Sequence, residues 1–524
     1  MPTPDLTRRD FIKLLGVSPL CFTRLPKLSL GKQSYSPHQQ IAATPNFIIV
    51  LFDTLSARNL SLYGYPRQTT PNLERLAQRA TVYHRHYAPA NFTSPGTASL
   101  LTGVYPWRHK AIHMHSKMAP EYVSKNLFAL PEAYATFAYT HNPLAYILLH
   151  QEQKLIDVLS DIEELCLYSD SAADRWFNRD YSAAYEAELL LYRNGHYPSG
   201  SLFFSIFDRI RRSIQQGRMD DQYLAAYPRG VPNYFDEDPP SFIFFNVEQA
   251  VDWIIEQASS QAQPFLGYVH LLPPHGPHTT TRQFIDIFDD DYKPPTKPTH
   301  PLAQGLPQDT LNLLRRYYDE AIAYVDSEFE RLFTTLEQSG VLKNTWLIFT
   351  SDHGELFERG TYSHMTPLLY EPLLHIPMVI WQPDQTTRRD IHTLTSNIDL
   401  LPTLFRAAQA PAPEWSDGKI LPSVTTPGLS SQPTGVHRDL FALEAGGSSR
   451  RGPLREATVA FYREQHKLIY YTGYEDFETQ YELYDVVNDP EELNNLYSTN
   501  NPIAREMKDE LDDQLVKAEQ ESRE

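Results

Sequence analysis

Four short apolar runs, which lie far apart along the chain, place the strongest constraint on the fold. They are residues 46–52 (NFIIVLF), 265–272 (FLGYVHLL), 345–350 (TWLIFT) and 377–381 (PMVIW). None of these runs alternates apolar with polar residues, which is typical of strands that are buried on both faces of a parallel sheet. Helical patterns separate the runs, the longest over Asp309–Ser339. Strands that alternate with helices predict an α/β fold with a large, mostly parallel sheet.

Composition shifts divide the chain into further segments. Residues 31–45 are polar and contain proline, which indicates a linker, and residues 411–436 are rich in Pro, Ser and Thr. Residues 145–245 interrupt the strand–helix alternation and contain a helical pattern over Leu202–Gln216. We therefore predict a catalytic domain over 46–435 with an insertion over 145–245, followed by a small α+β subdomain over 436–524.

The first thirty residues have the pattern of a targeting segment. Arg8 and Arg9 precede a short apolar run, Leu14–Phe22, and this arrangement resembles a twin-arginine export signal. We accordingly predict a signal over residues 1–30 and export to the periplasm or the extracellular space. No other stretch approaches the length of an integral membrane span.

Net charge and cysteine content argue against two classes of protein. The formal charge is −19, whereas a protein that binds nucleic acid needs a basic surface to neutralise phosphates, so no nucleic-acid partner is expected. The two cysteines, Cys21 and Cys166, do not form a CxxC motif, which argues against a structural zinc cluster.

Acidic residues and histidines follow three of the apolar runs. Asp53 ends the first run, Asp352 and His353 follow the third, and His275 and His278 follow the second. Ligands of open α/β sheets bind beyond the carboxyl ends of the strands, so these side chains are expected at one edge of the sheet. Asp and His together favour a divalent ion of the zinc or manganese type.

Residues 92–103 (FTSPGTASLLTG) predict a helix that carries a hydroxyl at its start. Pro95 fits the first helical position and Gly103 fits the end, so Thr93 or Ser94 lies at or beside the N-cap. A helix N-terminus binds anions, and a hydroxyl beside a metal ion can be ionised to attack a sulfur or phosphorus ester. The nearby histidines are interpreted as surface or core residues; they are His84, His86 and His109.

Several ordered motifs over residues 40–500 resemble those of the sulfatase family of the alkaline-phosphatase superfamily. They are residues 46–58 (NFIIVLFDTLSAR), 99–106 (SLLTGVYP), 350–355 (TSDHGE), 370–377 (YEPLLHIP) and 482–490 (ELYDVVNDP). The resemblance implies an α/β/α sandwich. It also implies that Asp53, Asp352 and His353 bind a divalent metal ion. His275 and His364 would then contact the ester oxygens or protonate the leaving group, with His278 as a weaker candidate.

The chain departs from the sulfatase pattern at the nucleophile. Thr93 occupies the position of the cysteine that is matured to formylglycine, Thr97 replaces an arginine, and Thr54 replaces the second residue of an Asp pair. No formylglycine is therefore expected. A set of Asp53, Thr93, Asp352 and His353 is similar to that of phosphoethanolamine transferases and lipoteichoic-acid synthases, which use a threonine nucleophile on one metal. The spacing to Pro95 favours Thr93, and Ser94 is the alternative if the helix begins later.

These observations predict a hydrolase that cleaves a sulfate or phosphate ester of a small molecule or glycan. Thr93 would be the nucleophile on one divalent ion, either Zn, Mn or Ca. A hydrated aldehyde can expel sulfate by collapsing to the aldehyde, whereas a threonine ester cannot, so phosphate esters are favoured. Two alternatives stay open: transfer of a phosphoryl-linked group to a glycan or lipid, and a catalytically inactive binding protein on the same fold.

Overall fold

A computed structural model shows how the apolar runs assemble. It describes residues 44–131, 133–169, 221–237, 240–422, 438–450, 452–475 and 480–521, together with residues 214, 217, 218 and 477. The predicted signal, most of the predicted linker and nearly all of the predicted helix over Leu202–Gln216 lie outside these residues.

The strands include all four predicted runs. In chain order they are β1 (Asn46–Phe52), β2 (Thr81–Tyr83), β3 (His86–Tyr87), β4 (Ala135–Thr140), β5 (Val158–Leu159), β6 (Cys166–Ser169), β7 (Asn233–Glu237), β8 (Pro240–Phe245), β9 (Phe265–Leu271), β10 (Thr345–Thr350), β11 (Leu356–Glu358), β12 (Thr361–Ser363), β13 (Met378–Trp381), β14 (Arg389–Ile391), β15 (Thr395–Ser396), β16 (Asp439–Glu444), β17 (Ala457–Arg463), β18 (His466–Thr472) and β19 (Gln480–Asp485).

The main sheet has eight strands in the order β14-β2-β13-β10-β1-β9-β4-β5. The central strands β10, β1, β9 and β4 are parallel to one another. The apolar run 377–381 forms β13, and its direction differs from that of the other three runs, because β13 pairs antiparallel with both β10 and β2. A mostly parallel sheet confirms the predicted fold class.

The α-helices of the described residues include the long one predicted before β10. They are α1 (Pro71–Leu76), α2 (Thr93–Thr102), α3 (Pro106–His109), α4 (Pro143–Gln151), α5 (Val247–Ser260), α6 (Gln308–Gln338), α7 (Glu371–Leu374), α8 (Leu400–Ala407) and α9 (Pro502–Glu521).

Helices cover both faces of the main sheet. Ile48, Val50 and Phe52 of β1 pack in one apolar cluster with residues of α5 and α6. The alternate residues of the strand, such as Ile49, pack in a second cluster with residues of α2 and α8. Because successive side chains of a strand point to opposite faces, burial on both sides requires the uninterrupted apolar run seen in the sequence.

The C-terminal part forms a separate antiparallel sheet, β16-β17-β18-β19, and α9 contacts its strands β17 and β18. A three-stranded antiparallel sheet, β6-β8-β7, lies within the segment predicted as an insertion. Among the residues that the structure describes, none of the helices has both the length and the apolar character needed to cross a bilayer.

His109 of α3 contacts α2 in the core. Its burial leads us to expect that the protein loses stability in acid. Its Nε2 lies 2.9 Å from Ser99 Oγ, its Nδ1 accepts from the Ala111 N–H at 3.1 Å, and the side chain is fully buried. Burial lowers the pKa of His109 from 6.5 to about 3. The neutral ring therefore contributes stability fully above pH 6.5, and this contribution is lost as the pH falls from 6.5 towards 3.

The free energy of unfolding should fall between pH 8 and pH 5 in both proteins. We expect the fall to be smaller in His109→Gln than in the wild type, by about 2 kcal/mol for a pKa shifted this far. Urea unfolding at the two pH values measures the difference. Equal losses in the two proteins would show that His109 does not titrate in this way.

Candidate metal and active site

Three neighbouring parallel strands bring the predicted ligands to one edge of the main sheet. β10, β1 and β9 are adjacent, so their carboxyl ends lie together. Asp53 directly follows β1, and its backbone N–H donates to Leu271 O of β9 at 2.9 Å. Asp352 and His353 follow β10 after a single residue, Ser351. The arrangement results from parallel pairing of segments that are almost 300 residues apart in the chain.

Asp53, Asp352 and His353 form a buried cluster that could hold a metal ion. One ligand atom from each side chain lies within 4.8 Å of the other two. His353 Nε2 is 3.5 Å from Asp53 Oδ1 and 3.5 Å from Asp352 Oδ2. All three side chains are fully buried. Two carboxylates and an imidazole that converge in this way resemble the donor set of a divalent ion.

The hydrogen-bonding state of these atoms fits a metal ion. Asp53 Oδ1 and Asp352 Oδ2 are buried, have no hydrogen-bond partner within the described part of the chain, and both lie 3.5 Å from His353 Nε2. Burial lowers the pKa of His353 to about 3, and its Nδ1 donates to Gly354 O at 2.9 Å, so Nε2 carries a lone pair. Burial and the charge of Asp53 raise the pKa of Asp352 to about 7. A bound cation would favour the ionised form of Asp352, against both its burial and the charge of Asp53.

The second oxygen of Asp53 is held by two residues that sequence reasoning missed. His270 Nε2 lies 3.2 Å from Asp53 Oδ2, and Asn142 Nδ2 donates to the same oxygen at 2.5 Å. Asn142 also caps α4, because its Oδ1 accepts from the Leu144 N–H at 2.8 Å. Burial opposes ionisation of Asp53, but the hydrogen bond to His270 holds the pKa of Asp53 below its usual value.

A signal for each missed residue was present in the sequence. His270 is a polar residue inside the apolar run 265–272, and a polar side chain in a strand buried on both faces needs a partner. Asn142 precedes Pro143 at a helix start that follows a strand, which is the position of an N-cap. Neither signal reveals that the partner is Asp53.

Thr93 begins the helix that faces the cluster. Its Oγ1 is 3.5 Å from Asp53 Oδ2 and 3.5 Å from His353 Nε2, and it accepts from Asn142 Nδ2 at 3.1 Å. Ser94 is also fully buried, but its Oγ has no hydrogen-bond partner among the described residues. The structure thus brings the hydroxyl of Thr93 to the predicted ligands.

The helix start differs from the prediction. α2 begins at Thr93 with Phe92 as its N-cap, so Pro95 is the third helical residue and not the first. The N–H groups of the first helical turn have no acceptor inside the helix. Proline, which has no N–H, therefore costs no hydrogen bond at the third position, and the earlier start is tolerated. A Cβ at Gly96 would lie 2.8 Å from Asp352 O, so this glycine allows the helix to approach the predicted ligand loop.

Thr54, which follows Asp53, has an uncommon backbone conformation. Its φ is 59°, in the left-handed region that a β-branched residue seldom adopts. Tyr318 OH donates to Thr54 O at 2.6 Å, and the N–H of Leu55 donates to Ser351 Oγ at 2.9 Å. These contacts hold a sharp turn that leaves the side chain of Asp53 at the sheet edge. Residues in such conformations occur often at functional sites.

The predicted histidines occupy different positions at this edge. The ring of His364 is adjacent to both the ring of His353 and the ring of His275, with centroid distances of 4.8 Å and 4.9 Å. Glu355 accepts from His364 Nδ1 at 3.1 Å and raises the pKa of His364 against the effect of burial. Burial lowers the pKa of His275.

His278, the weaker candidate, is engaged in the structure of its own loop. Its Nδ1 donates to Pro274 O at 2.7 Å, and its Nε2 lies 2.8 Å from Tyr362 OH. The side chain is buried at 3% exposure. With both ring nitrogens occupied, His278 is not available to contact an ester.

Family models match most of the chain. The model described as Sulfatase matches residues 45–144 and 177–410, and the model described as N-sulphoglucosamine sulphohydrolase, C-terminal, matches residues 358–521. The first match alone covers more than half of the sequence and includes every predicted ligand. The second includes His364 and the antiparallel C-terminal sheet.

Individual sulfatases and a solved structure are also similar to this chain. An uncharacterized sulfatase, YidJ, of Escherichia coli K12 is 27% identical over 477 residues, which are 86% of this chain and 83% of that protein. The choline-sulfatase of Rhizobium meliloti is 24% identical over 479 residues, 86% of this chain and 82% of that one. The phosphonate monoester hydrolase of Agrobacterium radiobacter shares the fold, with a TM-score of 0.64, 18% identity and coverage of 90% and 96%.

The family matches, the shared fold and the edge of the sheet at which Asp53, Asp352 and His353 meet agree with one another. The chain therefore belongs to the sulfatase family and is a hydrolase of sulfate or phosphate esters.

Proposed function

We propose that this hydrolase cleaves a phosphate ester through a covalent intermediate on Thr93, with one divalent ion at Asp53, Asp352 and His353. The observation that carries the proposal is the meeting of Thr93 Oγ1 with atoms of Asp53 and His353, each at 3.5 Å. When bound, the ion would lower the pKa of the threonine hydroxyl and stabilise negative charge on the ester oxygens.

The residues of the chain prepare Thr93 for attack. Asn142 Nδ2 donates to Thr93 Oγ1 at 3.1 Å and so stabilises the deprotonated oxygen. Asn142 also donates to Asp53, while its own oxygen is fixed at the start of α4. Because both ends of this amide have partners, its donor stays aimed at Thr93 without further ordering on substrate binding.

His275 and His364 are the most exposed of the predicted site residues, and we place the entrance to the site beside them. Thr93, Asp53, Asp352 and His353 are at most 1% exposed, whereas the His364 side chain is 17% exposed and His275 is partly exposed. A substrate would therefore place its ester group on the inner residues and its leaving oxygen beside the two imidazoles. Either imidazole could donate a proton to that oxygen.

The identity of the nucleophile favours phosphate over sulfate. A phosphothreonine is released by attack of water on phosphorus, which the same site can assist. A sulfated threonine lacks the route by which a hydrated aldehyde collapses and expels sulfate. We therefore expect the purified protein to hydrolyse 4-nitrophenyl phosphate faster than 4-nitrophenyl sulfate.

Metal addition tests the proposal. Protein treated with a chelator should be inactive on both esters and should regain activity with zinc or manganese. The same ions should raise the free energy of unfolding by about 2.7 kcal/mol at 100 times Kd. Asp352→Asn removes a charged ligand at nearly constant size, so we expect it to lose the metal-dependent stabilisation and the turnover together.

The outcomes separate this proposal from its alternatives. No turnover and no stabilisation by any divalent ion would favour a catalytically inactive binding protein. Turnover only in the presence of a glycan or lipid acceptor would indicate a transferase. A faster reaction with the sulfate ester would contradict the preference that we derive from Thr93. Small-molecule and glycan esters remain the proposed substrates.

We also propose that the enzyme acts outside the cytoplasm. The support is the Arg8-Arg9 pattern ahead of the apolar run Leu14–Phe22. Replacing both arginines with lysine should leave the protein in the cytoplasm, as fractionation of cells that express it would show. Unchanged export of the double variant would contradict a twin-arginine signal.

A further inference from the structure

Glu355 is a buried carboxylate beside the site that none of the steps above requires. It lies two residues after His353, immediately before β11, and is 2% exposed. Its Oε2 and Oε1 lie 3.1 Å and 3.3 Å from His364 Nδ1. Both carboxylate oxygens thus face one imidazole nitrogen.

The hairpin of β11 and β12 brings these two residues together. Leu356 pairs with Ser363 in the antiparallel register, so Glu355 and His364 flank the last pair at the open end of the hairpin. Their contact does not depend on a flexible loop between them. The strand pair holds the backbones of the two residues close together, within reach of a side-chain hydrogen bond.

A second contact fixes the backbone of His364 relative to the nucleophile. Asn91 Nδ2 donates to His364 O at 2.7 Å and to Thr366 O at 2.9 Å. Asn91 precedes Thr93 by two residues, so the segment that carries His364 is anchored to the segment that carries the nucleophile. The imidazole is therefore held from its ring and from its backbone.

His275 is held in a different way. Its Nδ1 lies 2.8 Å from Gly276 O, a neutral backbone acceptor on the next residue. A hydrogen bond to a carboxylate is stronger than one to a carbonyl and fixes ring orientation and tautomer more firmly. The imidazole of His364 is oriented by a charged group, the carboxylate of Glu355.

We propose that Glu355 is a positioning residue that fixes the Nδ1–H of His364, so that Nε2 of His364 delivers the proton to the leaving oxygen. This inference rests on the proposed function and deepens it, because it chooses between the two entrance histidines. The roles resemble those of a carboxylate that orients a catalytic histidine in other hydrolases.

The reaction balances with these residues. The cycle starts with Thr93 Oγ1 deprotonated. As the bond between this oxygen and phosphorus forms, the bond from phosphorus to the leaving oxygen breaks, and the proton on His364 Nε2 passes to that oxygen. In the second half, water attacks phosphorus and gives a proton to Nε2. The bond to Thr93 then breaks, which restores the threonine oxygen and the protonated His364.

The leaving group provides the test. Phenyl phosphate needs protonation of its leaving oxygen far more than 4-nitrophenyl phosphate does, because phenoxide is the stronger base. We expect Glu355→Ala in the metal-loaded enzyme to lower kcat for phenyl phosphate by about 100-fold, the scale of general acid catalysis. For 4-nitrophenyl phosphate the expected loss is less than about 10-fold on the same scale. KM should change little for either ester.

Two further variants make the test specific. Glu355→Gln keeps an oxygen that can accept from Nδ1–H, so it should recover part of the loss on phenyl phosphate. Glu358→Gln, in the same hairpin, removes a buried carboxylate that pairs with Lys297 at 2.8 Å and not with His364. It should leave the ratio of the two rates unchanged. Metal content, measured by mass spectrometry, should be equal in all these proteins.

The results separate two kinds of failure. Suppose that the wild type is active. If Glu355→Ala then lowers kcat for both esters by the same factor, or lowers kcat for neither ester, the positioning role is wrong and the proposed function stands. If the metal-loaded wild type hydrolyses neither ester, the proposed function fails and this inference fails with it.

Discussion

Thr93→Ala is expected to lower kcat for phosphate esters by at least about 10⁴-fold while the protein stays folded, because it removes the attacking atom. Thr93 Oγ1 contributes one close hydrogen bond, from Asn142 at 3.1 Å. Its loss should change the free energy of unfolding by only about 1 kcal/mol. Steady-state kinetics and urea unfolding of the same preparation measure the two effects.

Ser94→Ala is the matched control. Ser94 is equally buried, lies on the same helical turn and has a hydroxyl without a partner among the described residues. We expect its removal to leave both turnover and stability close to the wild type. If instead Ser94→Ala is inactive and Thr93→Ala retains the rate, the nucleophile is Ser94.

A covalent intermediate can be observed directly. Acid quenching of the wild type during turnover of a phosphate ester should trap a phosphoryl group on the peptide that contains residue 93. Mass spectrometry locates the modification, and Thr93→Ala should lack it. Turnover of a phosphate ester without any trapped phosphopeptide, together with an active Thr93→Ala, would indicate direct attack by water.

Lys467→Met is expected to destabilise the protein by about 3–5 kcal/mol, the scale found when one partner of a buried ion pair is removed. The Lys467 side chain is fully buried on β18, and its Nζ is 2.8 Å from Glu492 Oε1 and 3.3 Å from Glu371 Oε1. Glu492 also accepts from the Glu371 N–H at 2.8 Å. Without the lysine, two carboxylates would stay buried beside each other.

The effect should be structural and not catalytic. Glu371 begins α7, so the ion cluster joins the C-terminal sheet to the segment before β13. Unfolding by urea measures the loss, and the matched control is Lys508→Ala. Lys508 is partly exposed on α9 and pairs with Asp512 one helical turn away, so we expect a change below about 0.5 kcal/mol. Similar losses in both variants would contradict the special role of burial.

The four apolar runs predicted four of the eight strands of the main sheet, namely β1, β9, β10 and β13. β1 and β10 have the predicted bounds, because burial on both faces favours apolar residues in the middle of these segments and leaves the polar ones at their ends. The direction of β13 was not predictable in this way. An apolar run shows that a strand is buried, but the register and direction depend on which strand it pairs with.

The candidate site shows the same division. The strand-end rule predicts that Asp53, Asp352 and His353 meet, and their side chains do lie together; their role as ligands stays a prediction. The rule does not distinguish His275 from His278, which are three residues apart. Only the structure shows that the ring nitrogens of His278 contact Pro274 O in its own loop and Tyr362 OH on β12.

By itself, the sequence determined the class of fold, the edge of the sheet at which polar residues collect, and the threonine at the head of a helix. These features follow from local rules of burial, strand ends and helix starts. Only the tertiary structure decided which side chains contact each other: His270 and Asn142 contact Asp53, and Lys467 pairs with Glu371 and Glu492. Such partners are brought together by pairing of strands and packing of helices from distant parts of the chain, and distances of this kind are not encoded in any short motif.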